Sequence, residues 1–251
     1  MSTINESFTL PSKGLIYDKP INPNITLRSM TTMEEMKRLS PSDTPYKLMA
    51  DIIEDCITSE KLGMKIYDLC LGDYQYLLHK LRTVTYGTEY KMIITCPHCG
   101  QIVDSTADLD TLDVMEYDDT YLDLINITLP VTGKLIELKY QTPRDLDIVS
   151  FKKREMQRKT KSNLDYSLLF TTISLIKEVD GQVLNPVALE EFVKKLPMKD
   201  ISFILAEAEK LNGKVGVDNS ITATCGQCGN EVVTSFRITS EFFGPTNYWW
   251  W

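Results

Sequence analysis

The chain has 251 residues, with 27 Lys and Arg against 35 Asp and Glu, a formal net charge of −8 and a pI near 4.9. This counts against a sequence-independent nucleic-acid binder, whose affinity comes mainly from cations neutralising phosphates, so nucleic acid is not expected among its partners. With 43% hydrophobic residues it can bury one large core or two modest ones, and no apolar run reaches the roughly 20 residues that cross a bilayer, which excludes a membrane span. The first residues, "MSTINESFTLPSKG", have neither a basic start nor an apolar stretch, so no signal peptide is expected, and synthesis in a reducing cytoplasm is.

In chain order, residues 1–24 read as an extended arm. Phe8, Leu10, Leu15, Ile16 and Tyr17 surround Pro11 and Gly14, a stretch too short for a helix or hairpin of its own and suited to lying on the protein's core or on a neighbour. Residues 25–116 form a first half. "NITLRSM" is a strand, and Thr31 with Glu34, or Thr32 with Glu35, offers a helix capping box. "SPSDTPYKLMADIIEDCIT" and "KIYDLCLG" are short helices, with Pro41 and Pro45 marking the start. "DYQYLLHKLRTVTYG" has helical apolar spacing up to Gly87, and the strand "YKMIIT" leads into "TCPHCGQIVDST".

A connector, residues 117–133, joins this to a second half, residues 134–245, that repeats the order. "KLIELKYQTPRDLDIVSF" is an alternating strand followed by Thr142 as N-cap and Pro143 at the first helical position. A long helix runs from Asp145 to about Lys161, "LDYSLLFTTISLIKEVDG" reads as an apolar helix, and "NPVALEEFVKKLP" as one capped by Asn185. "DISFILAEAEKLNG" leads through "NSITAT" into "TCGQCGNEVVTS". Asp73 lies 23 positions before Cys96 and Asp200 lies 25 before Cys225, so the halves agree in order and nearly in length. The chain ends in an aromatic tail, residues 246–251.

The two C-x-x-C pairs carry the chemistry. A thioredoxin-like redox site needs a helix starting at its first cysteine, whereas here Gly100 and Gly229 follow and β-branched residues continue as strands. Zinc knuckles fit those flanks, and tetrahedral zinc needs four ligands where each knuckle supplies two. The interval is far longer than the usual spacing of 15 to 20 residues. If the halves face each other about a pseudo-twofold axis, Cys96, Cys99, Cys225 and Cys228 complete one closed, structural site. His98 reads as a surface turn residue, and Cys56 and Cys70 as core thiols. No catalytic set stands out: the chain has two histidines, His79 and His98, no glycine-rich phosphate loop and no nucleophile elbow. "EYDDTYLD" (116 to 123) could bind a cation and "FKKREMQRKTK" (151 to 161) an anion or an acidic protein, but each reads first as a solvated surface. Tyr248, Trp249, Trp250 and Trp251 offer large apolar area for docking on a partner.

"FTLPSKGLIY", "INPNITLRSMTTMEEMKRL", "LCLGDYQYLLHKLRTVTYGTEYKMIITCPHCG" and "CGQCGNEVVTSFRITSEFFGP", in this order, resemble the baseplate hub family of contractile-tailed bacteriophages, which includes the hub subunit of T-even phages. The resemblance implies a structural or assembly protein of the virion's tail baseplate, whose partners are other baseplate and tail proteins and a second copy of itself. The expectation is an α+β, internally duplicated chain, without enzymatic activity, whose zinc ribbon is assembled from both halves. Two alternatives stand beside it: an assembly chaperone absent from the finished virion, and a zinc-ribbon regulator on nucleic acid, which would need a basic face near the knuckles.

Overall fold

In the computed structural model, which describes residues 4–60, 62–160, 164–235, 238 and 240–243, helices and small antiparallel sheets alternate. The chain runs β1 (Asn5–Thr9), β2 (Asn24–Arg28), α1 (Thr32–Arg38), α2 (Pro45–Cys56), a 3-10 turn at Ile66–Asp68, α3 (Leu71–Tyr86), β3 (Glu89–Thr95) and β4 (Ile102–Asp108). After β5 (Val114–Met115) and a 3-10 helix at Asp119–Leu124 come β6 (Asn126–Thr128), β7 (Leu135–Leu138), α4 (Pro143–Thr160), α5 (Ser167–Leu175) and β8 (Ile176–Val179). Then follow α6 (Pro186–Lys195), α7 (Met198–Asn212), β9 (Gly216–Val217), β10 (Ser220–Thr224), β11 (Glu231–Ser235) and a last 3-10 turn at Ser240–Phe243.

Two expected helices are corrected. "KIYDLCLG" supplies only the 3-10 turn at Ile66–Asp68 and the start of α3, because Cys70 is itself the N-cap, its thiol accepting from the Asp73 N–H. The apolar helix expected through residue 179 stops at Leu175. Ile176-Lys177-Glu178-Val179 alternates apolar and polar like a strand, and Asp180 and Gly181, with φ of 51° and 74°, close a two-residue turn between Val179 and Gln182. β8 runs antiparallel to β7, which also pairs with β6.

Within the stretch expected as an arm, Asn5–Thr9 pairs along its length with β2. Phe8 meets Tyr76 edge-on, and Leu10 and Ser12 are buried, so this part of the segment lies on the protein's own core.

That core gathers Leu27, Ile52, Ile53, Leu69, Leu77 and Leu81 from the first half, and takes in Phe242 and Phe243 from the far end of the chain. Arg82, fully buried, holds that end in place. It donates to the carbonyl oxygens of Phe242, Gly87 and Glu89 and packs against the neighbouring Tyr90 and Phe242 rings, 5.5 and 5.7 Å from their centroids. A second core forms around Ile127, Ile136, Leu138, Val193, Ile204 and Leu211.

Several contacts occur twice, at matching places. Thr31 caps α1 with Glu34 at its third position, and Thr142 caps α4 with Asp145 there. Arg28 pairs with Glu34 at 2.8 Å, as Lys139 pairs with Asp145 at 2.9 Å. The N–H before each cap is held by the end of a later helix: Met30 donates to Thr85 Oγ1 at 3.1 Å and Gln141 to Asn212 Oδ1 at 2.8 Å. Early in those same helices stand two fully buried carboxylates. Asp73 accepts the Ser12 N–H and hydroxyl at 3.0 and 2.5 Å, while Asp200 accepts the Val131 N–H at 2.8 Å and the Thr132 N–H and hydroxyl at 3.1 and 2.8 Å. Each carboxylate thus ties down a loop that opens Thr-Leu-Pro, at Thr9 and at Thr128, with its leucine buried.

The two runs touch at close range. The Leu71 N–H donates to the Gln141 carbonyl at 2.8 Å, β5 pairs with β9, and a Cβ added to Gly72 would lie 1.9 Å from the Val215 carbonyl oxygen. Only glycine fits this crossing. Gly72→Ala is expected to destabilise the protein by about 1–3 kcal/mol in urea unfolding, whereas Gly226→Ala, with nothing within 4 Å of an added Cβ, should change stability by less than about 0.5 kcal/mol. Equal midpoints for the two variants would refute the close approach.

Candidate metal centre

Each C-x-x-C turn sits at the tip of a two-stranded hairpin. β3 and β4 pair from Glu89↔Asp108 to Thr95↔Ile102, and β10 and β11 from Ser220↔Ser235 to Thr224↔Glu231. The turns are built alike. Gly100 N–H returns to the Cys96 carbonyl at 2.9 Å and Gly229 N–H to the Cys225 carbonyl at 2.8 Å. Both glycines take φ of 73°, a left-handed conformation that glycine adopts without strain. Neither first cysteine starts a helix; a turn and a strand follow, so the helix dipole that lowers a redox thiol is missing from both.

The inner faces of the hairpins pack together through Met92, Ile94, Val103, Ala223 and Val232, which brings the tips into register. Cys96 and Cys225 are buried there, and Cys99 and Cys228 are exposed. All four Sγ atoms lie within 4.8 Å of one another, with Cys96 to Cys228 at 3.8 Å and Cys99 to Cys225 at 3.7 Å. A tetrahedral ion with metal–sulfur bonds of about 2.3 Å has sulfur–sulfur edges of about 3.8 Å. The expected set is thus assembled, one buried and one exposed thiol from each half, and its dimensions suit one ion.

The local electrostatics push the thiols apart in acidity. Backbone N–H groups of Cys228 and Gln227 favour the Cys225 thiolate and bring it down to about 6, while Cys99, although the Gln101 N–H favours its thiolate, is pushed up to about 12 by desolvation and then by the neighbouring sulfurs. All four as thiolates this close would require a cation between them. A four-sulfur shell leaves no position open for water or substrate, so the chemistry it supports is cross-linking.

The other singled-out residues lie elsewhere. His98 is exposed in its turn and is not among the four clustered ligand atoms. Cys56 is buried in α2, where burial pushes its thiol up to about 11. Cys70, also raised by burial, caps α3 beside Tyr17, whose hydroxyl donates to Asp73 at 2.6 Å. Residues 248–251 lie outside the described residues. Sequence reasoning missed Asp73, Asp200 and Arg82 as buried anchors; the repeated Thr-Leu-Pro tripeptide was the signal for the two aspartates.

A family model described as T4 bacteriophage base plate protein matches residues 1–244. Neither the curated proteins nor the solved structures contain a match to the chain. Among the described residues no helix is long and apolar enough to cross a membrane.

The thiol geometry predicts one divalent ion per chain. Cobalt(II) added to the metal-free protein should give thiolate-to-cobalt absorption with a tetrahedral ligand-field spectrum, saturating at one equivalent. Cys96→Ser and Cys225→Ser should each weaken binding and lower the same unfolding transition, since either opens the same shell. Saturation at two equivalents, or a disulfide within each pair and no metal, would break the shared site.

Proposed function

Because the chain belongs to the T4 bacteriophage base plate protein family, matched over residues 1–244, we propose that it is a hub or wedge-contacting subunit of a phage tail baseplate, acting through protein–protein contacts. The observation that carries this reading is the family match over nearly the whole chain. A non-enzymatic role follows from the same family. The sulfur cluster adds a structural ion to it, and the ion we assign is zinc, which four thiolates at tetrahedral spacing favour.

We further propose that the two halves descend from one duplicated unit, facing each other across a pseudo-twofold axis through the zinc. The repeated caps, ion pairs, helix-end contacts and buried aspartates support this, as do the matched turns. Exchanging Cys96 with Cys225 and Cys99 with Cys228 maps the 3.8 Å sulfur contact onto the 3.7 Å one, as a twofold would. In this reading the ion locks the halves so that the surfaces each presents to neighbours keep one relative geometry.

Tyr248, Trp249, Trp250 and Trp251 are proposed as a docking peg into another baseplate protein or a second copy. Each ring can bury roughly 150 to 250 Å², so at about 25 cal/mol per Å² the three indoles represent on the order of 10 kcal/mol before ordering and association costs.

Mass spectrometry of purified particles should find this chain in the tail baseplate; its absence from particles whose assembly requires it would favour the assembly chaperone instead. Deleting residues 247–251 should leave metal content and thermal unfolding of the isolated protein unchanged while abolishing incorporation. Normal incorporation of the truncated chain would refute the peg.

A further inference from the structure

The C-terminal half of α4 leaves one helix face uncovered. Phe151 is 58% exposed and Ile148 43%, on the same stripe as Arg154, Glu155 and Arg158. Phe151, Arg154, Glu155 and Arg158, with Asp43 and Lys159, line a groove of about 390 Å³. Both carboxylates in the groove are already engaged, Asp43 by Arg154 at 2.7 Å and Glu155 by Lys159 at 2.6 Å. Arg158 has no ion-pair or hydrogen-bond partner among the described residues. Cations in a last helical turn offset the helix dipole, which accounts for Arg158 and Lys159. It does not account for a phenylalanine left in water beside them.

The same chain carries the opposite arrangement. At the start of the 3-10 helix Asp119–Leu124, Asp118 and Asp119 are exposed, Asp119 has no partner among the described residues, and Leu122 stands 58% exposed one turn further on. This helix packs on α7 and β6, while α4 packs on α2 and α5, so each patch has its own backing within the fold. Three positions at about 2 Å rise separate Asp119 from Leu122, and three to seven at about 1.5 Å separate Phe151 from Arg154 and Arg158. Arg154 is taken by Asp43, so the arginine open to a carboxylate is Arg158, about 10 Å along the helix from Phe151, against about 8 and 6 Å from Asp118 and Asp119 to Leu122, a difference of a few ångströms that the long arginine side chain can span.

We propose that the α4 groove docks a second copy of this chain, receiving its Asp118-Asp119-Leu122 segment, with Leu122 against Phe151 and the carboxylates on Arg158. The two patches differ, so the contact is head-to-tail and propagates into a ring or an open array according to the rotation between copies. Its polar part is weakened by salt, and the apolar part sets the register.

Sedimentation equilibrium of the purified, metal-loaded chain at low ionic strength is the test. Wild type is expected to self-associate, less so as salt rises. Arg158→Glu, Phe151→Asp and the double variant Asp118→Lys with Asp119→Lys should each raise the dissociation constant by about tenfold or more, with metal content unchanged as the check on folding. An equimolar mixture of the Arg158→Glu chain and the Asp118→Lys, Asp119→Lys chain should regain association, because both contacts in the mixture pair opposite charges. A wild type that is monomeric at millimolar concentration, association insensitive to Arg158→Glu, or a mixture that stays dissociated would overturn the proposal. Binding of a single-stranded oligonucleotide that depends on Arg158, with the protein itself monomeric, would overturn it in favour of a nucleic-acid surface.

Discussion

Two turns separated by more than a hundred residues meet sulfur to sulfur, and the rest of the structure is arranged so that they can. A hairpin tip with two thiols cannot close a tetrahedron alone. The loop that must be closed to complete the shell, from Cys99 to Cys225, spans about half of the chain, and closing it costs entropy that rises only slowly with its length. The fold meets much of that cost before any ion arrives. β5 pairs with β9, Leu71 bonds to Gln141, Gly72 lies against Val215, and Arg82 holds the Phe242 backbone. An ion bound there would add to an association that backbone and side chains have already prepared.

Buried charge is used sparingly and always with partners. Asp73 and Asp200 are fully buried, and among the described residues neither forms an ion pair; each is met by N–H and hydroxyl donors of a loop that would otherwise leave those groups unsatisfied. Their environments are not equal. Burial raises Asp73 despite the bonds from Ser12 and Tyr17, whereas at Asp200 burial is outweighed by the Val131 and Thr132 donors and the carboxyl is held below its ordinary range. Many of the ion pairs lie on the surface, such as Lys47 with Asp51 and Lys134 with Asp180, where solvent and salt leave little net stabilisation. Specificity of the fold therefore rests on the buried carboxylates, the caps and the glycine crossing.

What could be read from the sequence was what depends on local chemistry. Thr31 with Glu34, Thr142 before Pro143, Asn185 before Pro186 and the C-x-x-C-G turns announce themselves within a few residues, and each forms the cap or turn expected of it. The strand Ile176–Val179 was hidden because its apolar residues continue the pattern of α5, and only pairing with β7 decides between the two periods. Arg82 was hidden for another reason: an arginine on a helix reads as solvent-facing, and its acceptors come from Gly87, Glu89 and the distant Phe242. The sulfur cluster was legible only by combining a local motif with the expectation of a repeat.

The way the four thiols share burial limits how the site can behave. Cys96 and Cys225 face the packed inner surfaces of the hairpins, while Cys99 and Cys228 face out. An ion there would be held from behind by the fold and open to solvent on one side. Chelators and oxidants would therefore reach the exposed pair first, and loss of that pair leaves two buried thiols on opposite hairpins, too few to retain a tetrahedral ion. The hairpins would still touch through Ile94 and Val232, a small apolar contact of a few side chains. Metal loss is thus a local loosening of the tips, while the larger cores around Leu77 and Ile204 keep their own packing.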